Sequence, residues 1–204
     1  MRPSVTTIIN EAAKPGLERW KQEQVLHAAL TLPRIEGEPE KDYLARIMRD
    51  SQEQAKKAAE RGTLIHAAIE GRNTFGPYGE HVMAALKLIY DWMPGELWKQ
   101  EQSFTSPLGY GGKTDDHAVN GVVDYKTTEK PLDDLDTYDS HWMQLAAYRE
   151  GLGMPTARCA IVYVNALEPA ARLIEIPEIN LQRGWKMFRA LLDYWYARTG
   201  MKRA

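Results

Sequence analysis

The sequence predicts an α/β protein in which a central mixed sheet lies between helices. Three observations support this fold class. Residues 157–165 form one continuous apolar run of the kind found in buried strands. Asn120-Gly121, a strong two-residue hairpin signal, separates two further strand-like runs. Segments with helical spacing precede and follow these strands, so that helices and strands alternate along the chain. Periodicity alone does not choose among α/β folds.

The first half of the chain is predicted to be helical, with glycine and proline at the breaks. The predicted helices cover, in order, about residues 14–30, 41–61, 63–70 and 78–92. Breaks are expected at Pro33, at the Gly37-Glu38-Pro39 turn, at Gly71, at Gly76-Pro77 and at Pro94-Gly95. Gly62 is expected to interrupt or kink the long polar helix before Thr63.

The second half carries the predicted sheet. Its strands are expected at about residues 98–105, 110–118, 121–127, 157–165 and 171–176. An acidic loop with Pro131 leads into a helix over about residues 138–150, and a last helix covers about residues 180–198. The sequence shows no internal repeat and no low-complexity segment.

The third predicted strand, within Gly109–Thr128, carries charges in an otherwise buried pattern. Its run Val122-Val123-Asp124-Tyr125-Lys126 places Asp124 and Lys126 two positions apart, and therefore on one face of the strand. The Asn120-Gly121 turn would bring Asp115 of the preceding strand close to them. Asp116 should point to the opposite face and be solvated unless a bulge exchanges the two. Burying such charges costs several kcal/mol per ion unless they are paired or bind metal.

Four short motifs in this order resemble those of the RecB-like branch of the PD-(D/E)XK nuclease superfamily. They are Gly62–His66 (G-x-x-x-H), Gly112–Asp115 (G-x-x-D), Asp124–Thr127 (D-x-K-T) and Gln144–Tyr148 (Q-x-x-x-Y). The opening Ser4–Ile9, with Lys14-Pro15 and Trp20, further resembles phage-type and mitochondrial genome maintenance exonucleases. The resemblance covers most of the chain and implies a restriction-endonuclease-like core with an N-terminal helical extension.

The resemblance also implies roles for individual residues. Asp115, Asp124 and His66 would hold Mg²⁺ or Mn²⁺, and oxygen ligands suit both ions. Lys126 would lie near the attacking water and the scissile phosphate. Glu70, one helical turn after His66, is a candidate for binding the metal or orienting the histidine.

The same resemblance makes Gln144 and Tyr148 candidates for contacting DNA or positioning their helix. The residue types also allow structural interpretations: His66 as a satisfied core histidine, Lys126 as a neutralising charge, and Glu70 as an exposed acid at a helix end. Glu101 on the first predicted strand could also face the site.

Composition limits the alternatives. With 204 residues the chain can form one domain, 1–204, with a helical region over 1–61 and a catalytic core over 62–204. Its single cysteine, Cys159, cannot form an intrachain disulfide or supply the several thiolates of an iron-sulfur cluster. No apolar run is long enough to span a membrane, and the N-terminus lacks signal-peptide features, so we expect a cytoplasmic protein of a bacterial host cell.

The formal net charge of −2 is low for a protein that binds phosphates, but the charges are unevenly distributed. Residues 115–139 are rich in aspartate, whereas the last 24 residues are basic. A bound cation would reverse the local charge of the acidic centre. The basic residues of the C-terminal segment are Arg183, Lys186, Arg189, Arg198, Lys202 and Arg203. They could equally form an ordinary solvated helix face.

These observations predict a Mg²⁺- or Mn²⁺-dependent deoxyribonuclease, specifically an exonuclease of phage or prophage recombination or repair. A structure-specific or restriction-type endonuclease is the alternative enzyme, and a catalytically idle DNA-binding module is the alternative outside enzymes. Predicted partners are DNA, as a single strand or a duplex end, a single-strand annealing protein, and further copies of the chain. Cations of the helical region, Lys41, Arg46, Arg49, Lys56, Lys57 and Arg61, could guide a threaded DNA end.

Overall fold

The computed structural model describes residues 2–203 and contains a mixed five-stranded sheet. The helices are α1 (Val5–Ile9), α2 (Pro15–Thr31), α3 (Glu40–Glu70), α4 (Gly79–Trp92), α5 (Asp139–Gly151) and α6 (Glu178–Thr199). The strands are β1 (Lys99–Gln100), β2 (Ser103–Thr105), β3 (Gly111–Lys113), β4 (Asp116–Ala118), β5 (Gly121–Thr128), β6 (Arg158–Asn165) and β7 (Ala171–Glu175). Among the described residues, no helix is both long enough and apolar enough to cross a membrane.

The strand order in the five-stranded sheet is β1-β4-β5-β6-β7. Its centre is the parallel pair β5 and β6, and its remaining pairs are antiparallel. The predicted hairpin between β4 and β5 is present, but its two-residue turn lies at residues 119–120, one position before the Asn120-Gly121 pair, with Ala118 opposite Gly121. Neither Asn120 nor Gly121 has the positive φ of an Asn-Gly turn. Strands β2 and β3 form a separate antiparallel pair.

Helices cover both faces of this sheet. Successive side chains of β5 point to opposite faces, so its residues belong alternately to the two hydrophobic cores. Val122 belongs to a core with α1, α5 and α6, where Leu145 and Phe188 are fully buried. Val123 and Tyr125 belong to a second core with α4 and the end of α3, around Ile65 and Ile89. The predicted α/β class, with a central mixed sheet flanked by helices, is therefore confirmed. Asp124 and Lys126 lie on the strand face that points toward α5.

Three boundary predictions are wrong. Gly62 does not interrupt the helix, because α3 is continuous from Glu40 to Glu70. The good helix formers on both sides of this glycine outweigh its cost of about 1 kcal/mol. The predicted strand over 98–105 is divided into β1 and β2, since Glu101 between them has a left-handed backbone with φ of 50°. The strand predicted over 110–118 is likewise divided, with Thr114 and Asp115 between β3 and β4.

The residues pack as two compact units, one formed by residues 2–12 with 65–203 and the other by residues 13–64. In the second unit, Arg46 fastens the loop between α2 and α3. Its guanidinium donates to Glu38 at 2.8 and 3.0 Å and to the Pro33 carbonyl at 2.8 Å. Lys57 and Lys56 form ion pairs with Glu53 and Glu60 on the same helix. Arg46, Lys56 and Lys57, which were among the cations predicted to guide DNA, are therefore paired with acids in this unit.

Candidate active site

Asp124 and Lys126 form a close ion pair on β5. Lys126 Nζ lies 2.6 Å from Asp124 Oδ2, and the Asp124 side chain is only 2% exposed. Burial raises the pKa of Asp124 to about 6, although the neighbouring ammonium opposes this shift. Burial also disfavours the charged lysine, but the attraction of Asp124 outweighs it and raises the pKa of Lys126. The predicted placement of both charges on one strand face is confirmed.

Gln144 of α5 connects these two residues. Its Nε2 donates to Asp124 Oδ1 at 2.7 Å, and its Oε1 accepts a hydrogen bond from Lys126 Nζ at 3.1 Å. Nε2 also lies 2.9 Å from the Tyr148 hydroxyl, one helical turn further along the same face. Gln144 and Tyr148 are buried, at 8% and 4% exposure, and hold Asp124 from the side of α5. Their contact with a substrate stays a prediction.

Asp115 reaches the same region from the interruption between β3 and β4. Its Oδ2 accepts a hydrogen bond of 2.8 Å from the backbone N–H of Tyr125, the residue after Asp124. Its own carbonyl accepts from the backbone N–H of Glu101 at 2.9 Å. The backbone is irregular at Glu101 and Asp115, where regular strand pairing is interrupted. At this interruption the Asp115 carboxylate points toward β5.

His66 and Glu70 approach Asp115 from the last turn of α3. His66 Nε2 lies 3.4 Å from Asp115 Oδ2 and 3.2 Å from the carbonyl oxygen of Tyr125, and Nδ1 lies 3.4 Å from Glu70 Oε1. The hydrogen bond to Asp115 raises the pKa of His66 to about 9 despite partial burial. The spacing of four residues on α3 thus puts both side chains beside one carboxylate.

The donor set suits a divalent cation. One ligand atom each from His66, Glu70 and Asp115 lies within 4.8 Å of the other two. Asp124 is not among the residues whose ligand atoms all lie within 4.8 Å of one another. Its Oδ2, however, is buried and has no aligned hydrogen-bond donor among the described residues, although Lys126 is close to it. Carboxylate oxygens with one imidazole are ligands that Mg²⁺ and Mn²⁺ accept, Mn²⁺ more readily because of the nitrogen.

Glu101 adds a further carboxylate next to this group. Burial and the neighbouring Glu101 raise the pKa of Glu70, whereas the contact with Lys113 lowers the pKa of Glu101. Lys113 forms an ion pair with Glu101. The site therefore carries more acidic groups than basic ones, and a bound cation would relieve their mutual repulsion.

Asp116 contradicts the sequence prediction. It was expected on a solvated face, but the residue is buried at 1% exposure and accepts hydrogen bonds from Arg72 Nη2 at 2.7 Å and from Tyr125 Oη at 2.5 Å. Asp116 on β4 is paired with Val123 of β5. Val123 faces the core formed with α4 and the end of α3, so the Asp116 side chain points into the same core. Arg72, which follows Gly71 at the end of α3, makes the burial of this acid tolerable.

The sequence offered no signal for the Arg72–Asp116 pair. The two residues are far apart in the chain, and neither lies in one of the four motifs. Only the three-dimensional packing of the end of α3 against β4 brings them together. A single arginine after a helix end is otherwise typical of a solvated surface.

Several solved structures are similar to this chain. A protein of Eubacterium rectale described as a candidate exonuclease is 15% identical, with a TM-score of 0.48, over 70% of this chain and 68% of its own. The alkaline exonuclease LHK-Exo of Laribacter hongkongensis is 12% identical, with a TM-score of 0.46, over 98% and 93%. Its complex with dAMP is 11% identical, with a TM-score of 0.49, over the same shares. The sequence matches no protein-family model and no curated protein.

Proposed function

We propose that this protein is a nuclease that hydrolyses DNA phosphodiester bonds with a divalent metal ion, Mg²⁺ or Mn²⁺. One observation supports this more than any other. The ligand atoms of His66, Glu70 and Asp115 converge within 4.8 Å, beside the ion pair of the buried Asp124 with the partly exposed Lys126. A purely structural role would not require five acidic or basic groups to lie together at one place.

In this proposal Asp115, Asp124 and His66 hold the metal, and Glu70 either joins them or orients the imidazole. A bound divalent ion supplies a water of lowered pKa and positive charge for a phosphate oxygen. Lys126 provides a fixed ammonium for the negative charge that develops on the phosphate. Gln144 keeps this ammonium and the Asp124 carboxylate in place, and Tyr148 supports Gln144. Gln144 and Tyr148 remain candidates for contacting the substrate.

We further propose exonuclease action by a single nuclease domain, 1–204, in which residues 62–204 form the catalytic core and residues 1–61 a helical region. Lys41 and Arg49 of the helical region are candidate phosphate contacts. On α6 and beyond, Arg198 and Arg203 form ion pairs with Glu11 and Asp193, which reduces the positive charge there. The proposed setting is recombination or repair of phage or prophage DNA in a bacterial cytoplasm, with an annealing protein or further copies of the chain as partners.

A substrate panel tests this function. The purified chain is incubated with end-labelled linear duplex, linear single strand, closed duplex circles and circular single strands, each with Mg²⁺, with Mn²⁺ or with EDTA. We expect linear DNA to be degraded to short products only when metal is present, and both circles to remain intact. Linearisation of closed circles without trimming of linear ends would establish the endonuclease instead. Linear DNA that stays intact with either metal would contradict a nuclease altogether.

A further inference from the structure

Arg72, Asp116 and Tyr125 form a buried polar cluster behind the candidate metal ligands. Arg72 Nη2 lies 2.7 Å from Asp116 Oδ1, and the Tyr125 hydroxyl donates to the other carboxylate oxygen at 2.5 Å. Asp116 is 1% exposed and Tyr125 2% exposed. Both oxygens of this carboxylate are therefore occupied by protein donors, so that Asp116 is not a free metal ligand.

The backbone at Arg72 is unusual for an arginine. Arg72 has φ of 49°, a left-handed conformation in which a side chain costs about 1–2 kcal/mol relative to glycine. Its N–H donates to the Ile69 carbonyl at 3.0 Å, and the next N–H, of Asn73, donates to Ala68 at 3.0 Å. This is the Schellman pattern at the end of α3, in which glycine normally occupies the left-handed position. The chain carries arginine there instead, and the compensating interaction is the ion pair with Asp116.

The cluster joins the elements that carry the candidate ligands. Arg72 follows the helical turn that bears His66 and Glu70. Asp116 follows Asp115 directly on β4. Tyr125 lies between Asp124 and Lys126, and its backbone N–H donates to Asp115 at 2.8 Å while its carbonyl lies 3.2 Å from His66. Every candidate ligand is thus within two residues of a cluster member or, in the case of His66, contacts one.

We propose that Arg72 and Asp116 are positioning residues that fix the end of α3 against β4 and β5, and thereby set the distance of His66 and Glu70 from Asp115 and Asp124. This inference rests on the proposed metal site. Partners of this kind, behind the ligands themselves, typically change metal affinity or activity by about 10- to 100-fold when they are removed.

The substitution Arg72→Gly separates positioning from folding. Glycine suits the left-handed position, so the helix end keeps its favoured conformation while the guanidinium is lost. We expect Mn²⁺ affinity, measured by calorimetry on the full chain, to fall about tenfold or more. We also expect turnover on linear DNA to fall at saturating Mn²⁺, because the ligands no longer keep their relative positions.

Arg149 offers a matched control. This arginine is also buried, at 3% exposure, and pairs with Glu178 at 2.7 Å, on the side of α5 that faces α6 rather than the candidate site. Arg149→Ala should lower thermal stability but leave the Mn²⁺ affinity of the folded protein unchanged. If buried arginines only stabilised the fold, the two variants would affect Mn²⁺ affinity alike. A loss of Mn²⁺ affinity in Arg72→Gly but not in Arg149→Ala therefore supports the positioning role.

Asp116→Asn provides a second variant, since asparagine keeps the shape and can still accept from Tyr125 Oη. We expect it to weaken Mn²⁺ binding in the same direction as Arg72→Gly. Folded Arg72→Gly and Asp116→Asn proteins that bind Mn²⁺ and cleave DNA like the wild type would overturn the positioning role. Wild-type protein that binds Mn²⁺ but cleaves no DNA would remove the proposed function while leaving this affinity comparison valid. Wild-type protein that binds no Mn²⁺ would overturn both.

Discussion

The Lys126 ammonium lies 2.6 Å from the Asp124 carboxylate, and both groups are contacted by the Gln144 amide. These contacts hold both charged groups in place, with the Asp124 side chain buried and the Lys126 side chain 32% exposed. An ammonium held in this way can stabilise negative charge that develops nearby without reorganising first. The carboxylate keeps one oxygen, Oδ2, without an aligned hydrogen-bond donor among the described residues.

Lys126→Ala should bind metal but lose most of its turnover. An ammonium is not a metal ligand, whereas removing one well-placed charge of this kind costs about 10²-fold or more in rate. The measurements are Mn²⁺ binding by calorimetry and cleavage of linear DNA at saturating metal. Lys130→Ala, which changes an exposed lysine close in sequence, is the control. A Lys126→Ala protein that has lost its metal would assign this lysine a structural role.

Gln144→Leu should lower both stability and activity. The leucine leaves Asp124 Oδ1 buried without its donor, which costs about 1–3 kcal/mol in the free energy of unfolding. Tyr148→Phe removes only the hydroxyl and should have a smaller effect of the same sign. Denaturant unfolding and DNA cleavage of both variants test this order. Full activity of Gln144→Leu would show that Asp124 does not need the amide.

His66→Gln should change the nitrogen ligation of bound Mn²⁺. If His66 is a ligand, electron spin echo spectra of the Mn²⁺-loaded wild type contain the coupling of one imidazole nitrogen. This coupling should disappear in His66→Gln and persist in the control His27→Gln, which changes an exposed histidine of α2. A wild-type spectrum without nitrogen coupling would leave His66 as a partner of Asp115 only.

His141 predicts a pH dependence of stability outside the metal site. Its Nδ1 accepts from the Tyr138 backbone N–H at 3.3 Å, and burial, followed by the charge of Lys126, lowers the pKa of His141 to about 4. The unfolded chain has a histidine pKa near 6.5, so it binds the proton first as pH falls. The stability contribution is therefore complete above pH about 6.5 and is lost as pH falls toward about 4.

His141→Gln should flatten this dependence by an amount on the order of 3 kcal/mol between those limits. The measurement is the free energy of unfolding in denaturant at several pH values, compared with the wild type and with His27→Gln. Identical pH profiles of His141→Gln and the wild type would show that the imidazole is not held neutral by the fold.

Local signals in the sequence were sufficient for much of this structure. The Asn120-Gly121 pair indicated a hairpin between β4 and β5, although the turn lies one residue earlier than this pair. Period-two alternation placed Asp124 and Lys126 on one face of β5. The four-residue spacing of His66 and Glu70 placed both on one helix face, whereas their position beside Asp115 was implied only by the resemblance. Each of these inferences depends on residues that are close in the chain.

The sequence-based predictions that were wrong concern residues whose structure depends mainly on contacts between distant segments of the chain. Asp116 is buried because Arg72 and Tyr125 lie on either side of it, and no spacing rule relates residues 44 positions apart. The irregular backbone at Glu101 exists because its N–H bonds to Asp115, whereas β propensity predicted a straight strand. The continuity of α3 through Gly62 reflects the length of helix formers on both sides, which outweighs one unfavourable residue.

The proposed metal-dependent nuclease activity depends on the carboxylates around β5, and Asp124→Asn removes the charge of one of them. Asparagine keeps the shape and can still accept from Gln144, but it removes the charge that a cation requires. The measurement is the rate at which labelled linear DNA is degraded with Mg²⁺ by the wild type, by folded Asp124→Asn and by Asp134→Asn, which changes an exposed aspartate. We expect wild-type rates for Asp134→Asn and a loss of at least about 10²-fold for Asp124→Asn. A folded Asp124→Asn protein that degrades DNA at the wild-type rate would contradict a metal-dependent nuclease site at these carboxylates.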